Sequence, residues 1–372
     1  MRLLKLSLFA FLYSTATLAS TTLTYSGEFT LAPDTQYNNE KVGGLSALAW
    51  DNKNSILYAI NDSRNNTKEG FSSLYKFKVH LPDKSSPFRV ELLNAKHMTG
   101  KDKRDFETST IDAEGLALTP DGESLLWSSE LGSPLRLSNK DGELLKDYSA
   151  LFAPKFNIAG GKDAVTGVHN ANSWEGLSFT PDGKNVYLAL EGSLRQDGPL
   201  ASPLNSGSSR ILQFSSDATG NNLIPNAEYL YMTDPVPQVS QFGVNDNGVS
   251  EILAINDKKM LVIERSGRNI SEGFNDWDFN IRVYLADISK ATDIRKIDSL
   301  SSYKNTATIQ TITKKMIIDF TEYTTQPDCI EGVTFGPLIN GKKSLIFVTD
   351  NNFQKHQNTK FYLFIDKGGL LD

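Results

Sequence analysis

Residues 175–191 read EGLSFTPDGKNVYLALE: a short apolar strand, a polar turn, a second apolar strand and a closing acid. Thr-Pro-Asp-Gly at 180–183 is a β-turn signature, since proline presets one dihedral while Asp and Gly tolerate the chain reversal. The segment is a hairpin. It recurs at 114–130 (EGLALTPDGESLLWSSE) and at 46–62 (SALAWDNKNSILYAIND). Two more copies occupy 251–264 (EILAINDKKMLVIE) and 331–350 (EGVTFGPLINGKKSLIFVTD). In the first three the end residues are 16 positions apart; the fourth is three residues shorter and the fifth three longer. Both differences fall in the turn, where length changes are tolerated.

The copies start 68, 61, 76 and 80 residues apart. The intervals leave room for two further strands after each hairpin, such as SLYKFKVHL and FRVELL in the first, SRILQF and AEYLYM in the third, and IRVYLADI and KKMIIDF in the fourth. Four antiparallel strands per repeat is the unit of a β-propeller blade. After Glu331 only about three strands remain, and the N-terminal TLTYSGEFTL supplies the missing one. The expected fold is all-β: a β-propeller of five four-stranded blades, with six as the alternative, whose ring is closed by residues 22–31. The runs LYAI, VYLAL and LIFV are apolar on both faces, as strands between neighbouring blades should be. Gly115, Gly176 and Gly332 follow the leading Glu in three copies, where the inner ends of blades crowd together.

The 372 residues are expected to divide into a signal peptide, 1–19, and one propeller domain, 20–372. Arg2 and Lys5 precede an apolar core from Leu6 to Leu18, and Thr17-Leu18-Ala19 ends in small residues. The chain is therefore expected to be exported, periplasmic or secreted, with no membrane span. Without Arg2 and Lys5, 36 basic residues face 44 acidic ones, a net charge of −8. That balance excludes a nucleic-acid partner, which needs clustered Lys and Arg. The single Cys329 excludes an internal disulfide and a cysteine-based zinc site. We expect a monomer acting on a small molecule.

In a propeller the first strand of each blade starts at one face and the second returns to it. Glu114, Glu175, Glu251 and Glu331 at the starts, and Asp62, Glu130, Glu191, Glu264 and Asp350 at the returns, should therefore surround one mouth of the central channel. Nine carboxylates there would repel one another unless neutralised. Basic residues follow the returns (Arg64, Arg136, Arg195, Arg265 and Lys355), and oxygen-rich sites suit calcium, with Asn61, Asn247, Asn351 and Asn352 adding carbonyl oxygens. The expected calcium ligands are Glu114, Glu175, Glu251, Glu331, Asp62 and Asp350. Arg64, Arg195 and Arg265, with Glu251 and Glu264, form the expected catalytic set for a phosphorylated substrate. A buried Glu at a blade junction can equally serve as a latch that accepts backbone N–H groups, and the fourfold repetition of the leading Glu favours that use. Among the four histidines, His169 and His356 lie near the mouth as acid or base candidates, whereas His80 and His97 belong to outer strands. No Gly-x-Ser-x-Gly elbow occurs.

DAEGLAL, NSWEGLSFTPDGKNVYLALEG, NGVSEILAINDKKMLVIERSGR and CIEGVTFGPL…LIFVTDNNF, opened by GGLSALAWD…LYAINDSR, resemble the secreted family called "esterase-like activity of phytase" over about residues 40–366. The matching positions are Glu114, Glu175, Glu251, Glu264, Arg265, Glu331, Asp350 and Asn351. The resemblance implies a bacterial, exported β-propeller remotely related to calcium-dependent propeller phytases. Those have six blades, so their calcium ligands do not map onto the five counted here. Three functions follow in order: a calcium-dependent hydrolase of phosphate esters, a non-catalytic propeller that binds a ligand or envelope partner, and a carboxylic-ester hydrolase.

Overall fold

The structure, a computed structural model, describes residues 23–158, 163–169, 172–274 and 276–372. The signal peptide read at 1–19 lies outside these residues. Strands β1 (Leu23–Thr30), β2 (Gln36–Tyr37) and β3 (Glu40–Lys41) precede the first blade. Blade 1 is β4 (Leu45–Asp51), β5 (Ile56–Asn61), β6 (Ser73–His80) and β7 (Arg89–His97); blade 2 is β8 (Ala113–Leu118), β9 (Ser124–Ser129), β10 (Leu135–Asn139) and β11 (Leu144–Asp147). Blade 3 contains β12 (Trp174–Phe179), β13 (Asn185–Ser193), β14 (Ser208–Ser216) and β15 (Leu223–Met232). Blade 4 contains β16 (Gly248–Ala254), β17 (Lys259–Asn269), β18 (Trp277–Asp287) and β19 (Thr313–Asp319). Blade 5 has β20 (Cys329–Phe335), β21 (Ser344–Asp350) and β22 (Lys360–Asp366), completed by β1, which pairs antiparallel to β22 from Leu23↔Asp366 to Thr30↔Lys360. The ring is a five-bladed β-propeller closed by its N-terminal strand. No helix among the described residues is long and apolar enough to cross a membrane.

Five large hydrophobic clusters hold the ring, one at each junction between blades. Trp127 and Ile60 belong to the cluster between blades 1 and 2, for example, and Phe347 and Ile263 to the one between blades 4 and 5. Second strands are apolar on both faces because both meet a neighbour: Val186 through Leu190 are all fully buried. The repeated turn also explains itself. Thr119 Oγ donates to Asp121 and accepts the Ser124 N–H, and Gly122 sits at φ +75°. Thr180, Asp182, Asn185 and Gly183 repeat the arrangement.

Each inner strand carries a pairing irregularity at the same place, where one extra residue is accommodated: between Leu45 and Ala47, Ala113 and Leu116, Trp174 and Leu177, Val249 and Glu251, and Ile330 and Gly332. Such bulges re-aim side chains. The glycines after the leading Glu meet the next blade. A Cβ on Gly115 would lie 2.5 Å from the Glu175 carbonyl oxygen, and one on Gly176 2.4 Å from the Ile252 nitrogen. Beyond the bulge, Leu48, Leu116, Leu177, Leu253 and Val333 line a cavity of about 330 Å³ together with Ser178, Thr180, Asp182 and Thr334. This end of the channel is mixed, with Asp182 the one acid among the described residues of its lining. The other end gathers acids.

Candidate functional site

The bulges and the strand returns bring Asp62, Glu114, Glu130, Glu175, Glu191, Glu331 and Asp350 into one electrostatic group, and Asp112 joins them. Oxygens of Asp112, Glu114 and Glu130 all lie within 4.8 Å of one another, and so do those of Glu130, Glu175 and Glu191, so Glu130 links two triads. Burial pushes all eight carboxyls above their usual range, reinforced by neighbouring anions in all but Glu130, where burial outweighs the Ser173 hydrogen bonds and the two arginines. Asp112 rises to about 7 despite its ion pair with Arg64, and Glu191 to about 8 despite Arg265. Two guanidinium groups face these eight acids. Arg64 Nε meets Asp112 at 2.7 Å, and Arg265 lies 2.7 Å from Glu191 and 3.4 Å from Glu331.

Blade 4 departs from the others. Glu251 Oε1 accepts the N–H groups of Leu177 and Ile252, each at 2.9 Å, and so ties blade 4 to blade 3. Glu264 turns outward. It accepts from Tyr231 Oη at 2.8 Å and from Asp234 N–H and Asn247 Nδ2 at 2.9 Å, and it pairs with Lys314. Arg265, the next residue, takes the place at the mouth that an acid holds in the other blades. Of the predicted metal ligands, Glu114 and Glu175 each belong to a triad, Asp62, Glu331 and Asp350 act on one another electrostatically, and Glu251 is bonded as a latch. Of the predicted catalytic residues, Arg64 and Arg265 reach the group. Arg195 instead lies beside His169, which it and burial hold below the usual imidazole range.

Among the described residues no hydrogen-bond partner meets the buried His169 Nε2, which lies in a cavity of about 270 Å³ shared with Arg64, Asp112 and Glu130. His356 lies further out, while His80 and His97 pair with surface acids on blade 1. Of the asparagines expected to add oxygens, two have that oxygen engaged: Asn61 Oδ1 accepts from Ser73 N–H and Asn351 Oδ1 from Gly44 and Phe353, while Asn247 and Asn352 donate their Nδ2 to Glu264 and Gln357. Asp112 was not foreseen. It stands two residues before Glu114, where the other copies have Gly44, Ser173, Val249 and Cys329, so the repeat gave no reason to single it out.

The donor set is compatible with a hard cation. It is all oxygen, no imidazole belongs to either triad, and the Cys329 thiol is held as a donor to Glu331 at 3.2 Å. Among the described residues, the buried Oδ1 atoms of Asp112 and Asp62 have no hydrogen-bond partner, and buried polar atoms of that kind call for an explanation. A divalent cation would occupy those lone pairs and offset the surplus of negative charge.

Among solved structures, the chain resembles a glycosyl hydrolase from Bacteroides ovatus at 11% identity, covering 92% of this chain and 94% of that one, with a TM-score of 0.39. It also resembles a member of the DUF4221 family from Bacteroides vulgatus at 10% identity, covering 92% and 97%, with a TM-score of 0.36. Scores this low bear on neither substrate nor mechanism. No curated protein matches the chain. The family model described as esterase-like activity of phytase matches residues 40–353, and the chain belongs to this phytase-like family.

Proposed function

We propose that this protein is an exported hydrolase of phosphate esters whose acidic mouth holds calcium. One observation carries the reading: eight carboxylates, six of them buried and Asp62 and Glu331 half-buried, gather around two guanidinium groups, an arrangement that costs stability unless a cation completes it. The triad of Asp112, Glu114 and Glu130 or that of Glu130, Glu175 and Glu191 would hold the ion, with Asp62, Glu331 and Asp350 acting on the same carboxylates electrostatically. Calcium bound there would supply positive charge against developing charge on phosphate oxygens and make a nearby water more acidic.

The chain's own groups do the rest. Arg64 has its Nε on Asp112 and a side chain that is 43% exposed, so its terminal nitrogens can reach an incoming phosphate. Arg265 is more enclosed and is held by Glu191 and Glu331, so it presents a fixed guanidinium with little motion to lose. Glu251 and Glu264 keep blades 3 and 4 in register around the mouth. His169 is held neutral and is positioned to accept a proton near Arg64 and Asp112. The family description, which names phytase and esterase-like activity, agrees with ester hydrolysis.

The test is turnover of a chromogenic aryl phosphate and of a matched carboxylic ester by the purified mature chain, in chelator and then in calcium. Calcium-stimulated release from the phosphate is expected. Turnover of the carboxylic ester alone would replace the proposed substrate class. Calcium binding with no turnover of either would make the mouth a binding site only.

A further inference from the structure

A second feature opens from the same mouth. Between blades 4 and 5 a cavity of about 250 Å³ begins at Arg265 and Glu191 and runs outward past Trp277, Asn352, Gln354 and Gln357. It adjoins another of about 170 Å³ that shares Trp277, Phe279 and Gln357 and ends near Gln326 and His356. Together they form one cleft of small-ligand size. Trp277 and Phe279 stand two residues apart on β18 with stacked rings, 20° from parallel and with centroids 6.5 Å apart; Phe279 is buried in the core between blades 4 and 5, and half-buried Trp277 gives the cleft its aromatic face. Gln357 is buried, and its Oε1 is held by Asn352 Nδ2 at 2.8 Å, so the amide edge opposite this face is fixed.

The cleft's chemistry differs from that of the mouth. Its polar lining is mainly amides and carboxylates, including Asp246, Asp276 and Asp278, with no lysine, and its one arginine is the Arg265 already shared with the site. Such a lining repels a densely phosphorylated ring, which needs several cationic partners. Amides that both donate and accept, set against a flat aromatic face, fit a neutral ring that carries hydroxyls on its edge and C–H groups on its face. We propose that the blade 4–blade 5 cleft is a saccharide subsite that seats the sugar part of the substrate while its ester end reaches the mouth. The link to the ester rests on the proposed function; the binding itself does not.

The experiment is therefore a binding measurement that needs neither calcium nor turnover. The mature chain is titrated with a panel of neutral disaccharides (maltose, cellobiose and N,N′-diacetylchitobiose) and with tripolyphosphate, followed by tryptophan fluorescence and calorimetry. At least one disaccharide should bind. Trp277→Ala should weaken it about tenfold or more, Trp277→Phe should retain part of the affinity, and Gln357→Ala should also weaken it. Tripolyphosphate binding should be insensitive to Trp277→Ala. If no member of the panel binds the wild-type chain, or if binding is indifferent to both Trp277 variants, the subsite is overturned. Sugar binding without phosphate turnover would sink the proposed function and keep the cleft, whereas aryl-phosphate turnover by a chain that ignores sugars would do the reverse.

Discussion

The two ends of the central channel are built from the same five strands, yet acids crowd one end and inner-strand leucines the other. At the bulge the inner strands place Ser46, Glu114, Glu175, Glu251 and Glu331; two residues further on they place Leu48, Leu116, Leu177, Leu253 and Val333. The leucine-lined end gains by excluding water. The acidic end loses by it, since every buried carboxylate there gives up hydration without a full set of partners. A propeller thus separates a part of the channel that stabilises the ring from a part that burdens it. The burden is the better guide to function, because packing alone would not retain it.

The largest effect should come from an acid that is structural rather than ligand-like. Glu264→Ala removes the acceptor shared by Tyr231, Asp234, Asn247 and Lys314, and should cost about 3–5 kcal/mol in denaturant unfolding. Calcium affinity should remain; its loss would show that Glu264 belongs to the mouth after all. Next, Glu130→Gln with Glu175→Gln takes one carboxylate from the first triad and two from the second. Calorimetric calcium affinity should fall by roughly 100-fold, while the metal-free protein becomes more stable because buried charge has been removed. A double variant that binds calcium normally would dismantle the cation site. At the other end, Leu177→Ala should cost about 2 kcal/mol and leave calcium binding untouched, which would confirm that the two ends are independent.

The pH dependence sharpens the same contrast. Asp112 and Glu191, raised to about 7 and about 8, hold protons in the folded, metal-free chain that they would lose when unfolded. Metal-free stability should therefore be greatest at acidic pH and fall as pH rises from the ordinary carboxylate range through 8. Calcium needs the ionised carboxylates, so its affinity should weaken as pH drops from 8 to below 7. Paired melting curves with and without calcium would check both signs; a calcium-induced rise in Tm that is flat across this window would remove these carboxyls from the ligand set. The smallest effect belongs to Glu251→Gln. A carboxamide oxygen can accept the same two N–H groups, so stability should shift by less than about 1 kcal/mol, with calcium binding intact.

Hairpin spacing, the Thr-Pro-Asp-Gly turns and the strand deficit after Glu331 were enough to count five blades and to predict how the ring closes. These are local signals, repeated five times, and repetition removes ambiguity. The same repetition does not tell the acids of the site apart. It ranked Glu251 with Glu114, Glu175 and Glu331, because the alignment treats the four as equivalent, and it gave no notice of Asp112.

What the sequence determined by itself is the architecture and the sign of the mouth: an apolar and polar alternation with a recurring acid can be buried in few ways, and a propeller is one of them. Which acids meet was decided only in three dimensions. A bulge shifts register by one residue, and the direction of Glu264 depends on Tyr231, Asp234 and Lys314, which come from other strands and loops. The cleft between blades 4 and 5 depends equally on distant pairings, since Trp277 and Gln357 lie 80 positions apart in the chain. Periodicity reports which face of a strand is buried. It does not report which neighbour lies across that face, and at this mouth the neighbours decide whether a carboxylate is a latch, an ion-pair partner or a ligand.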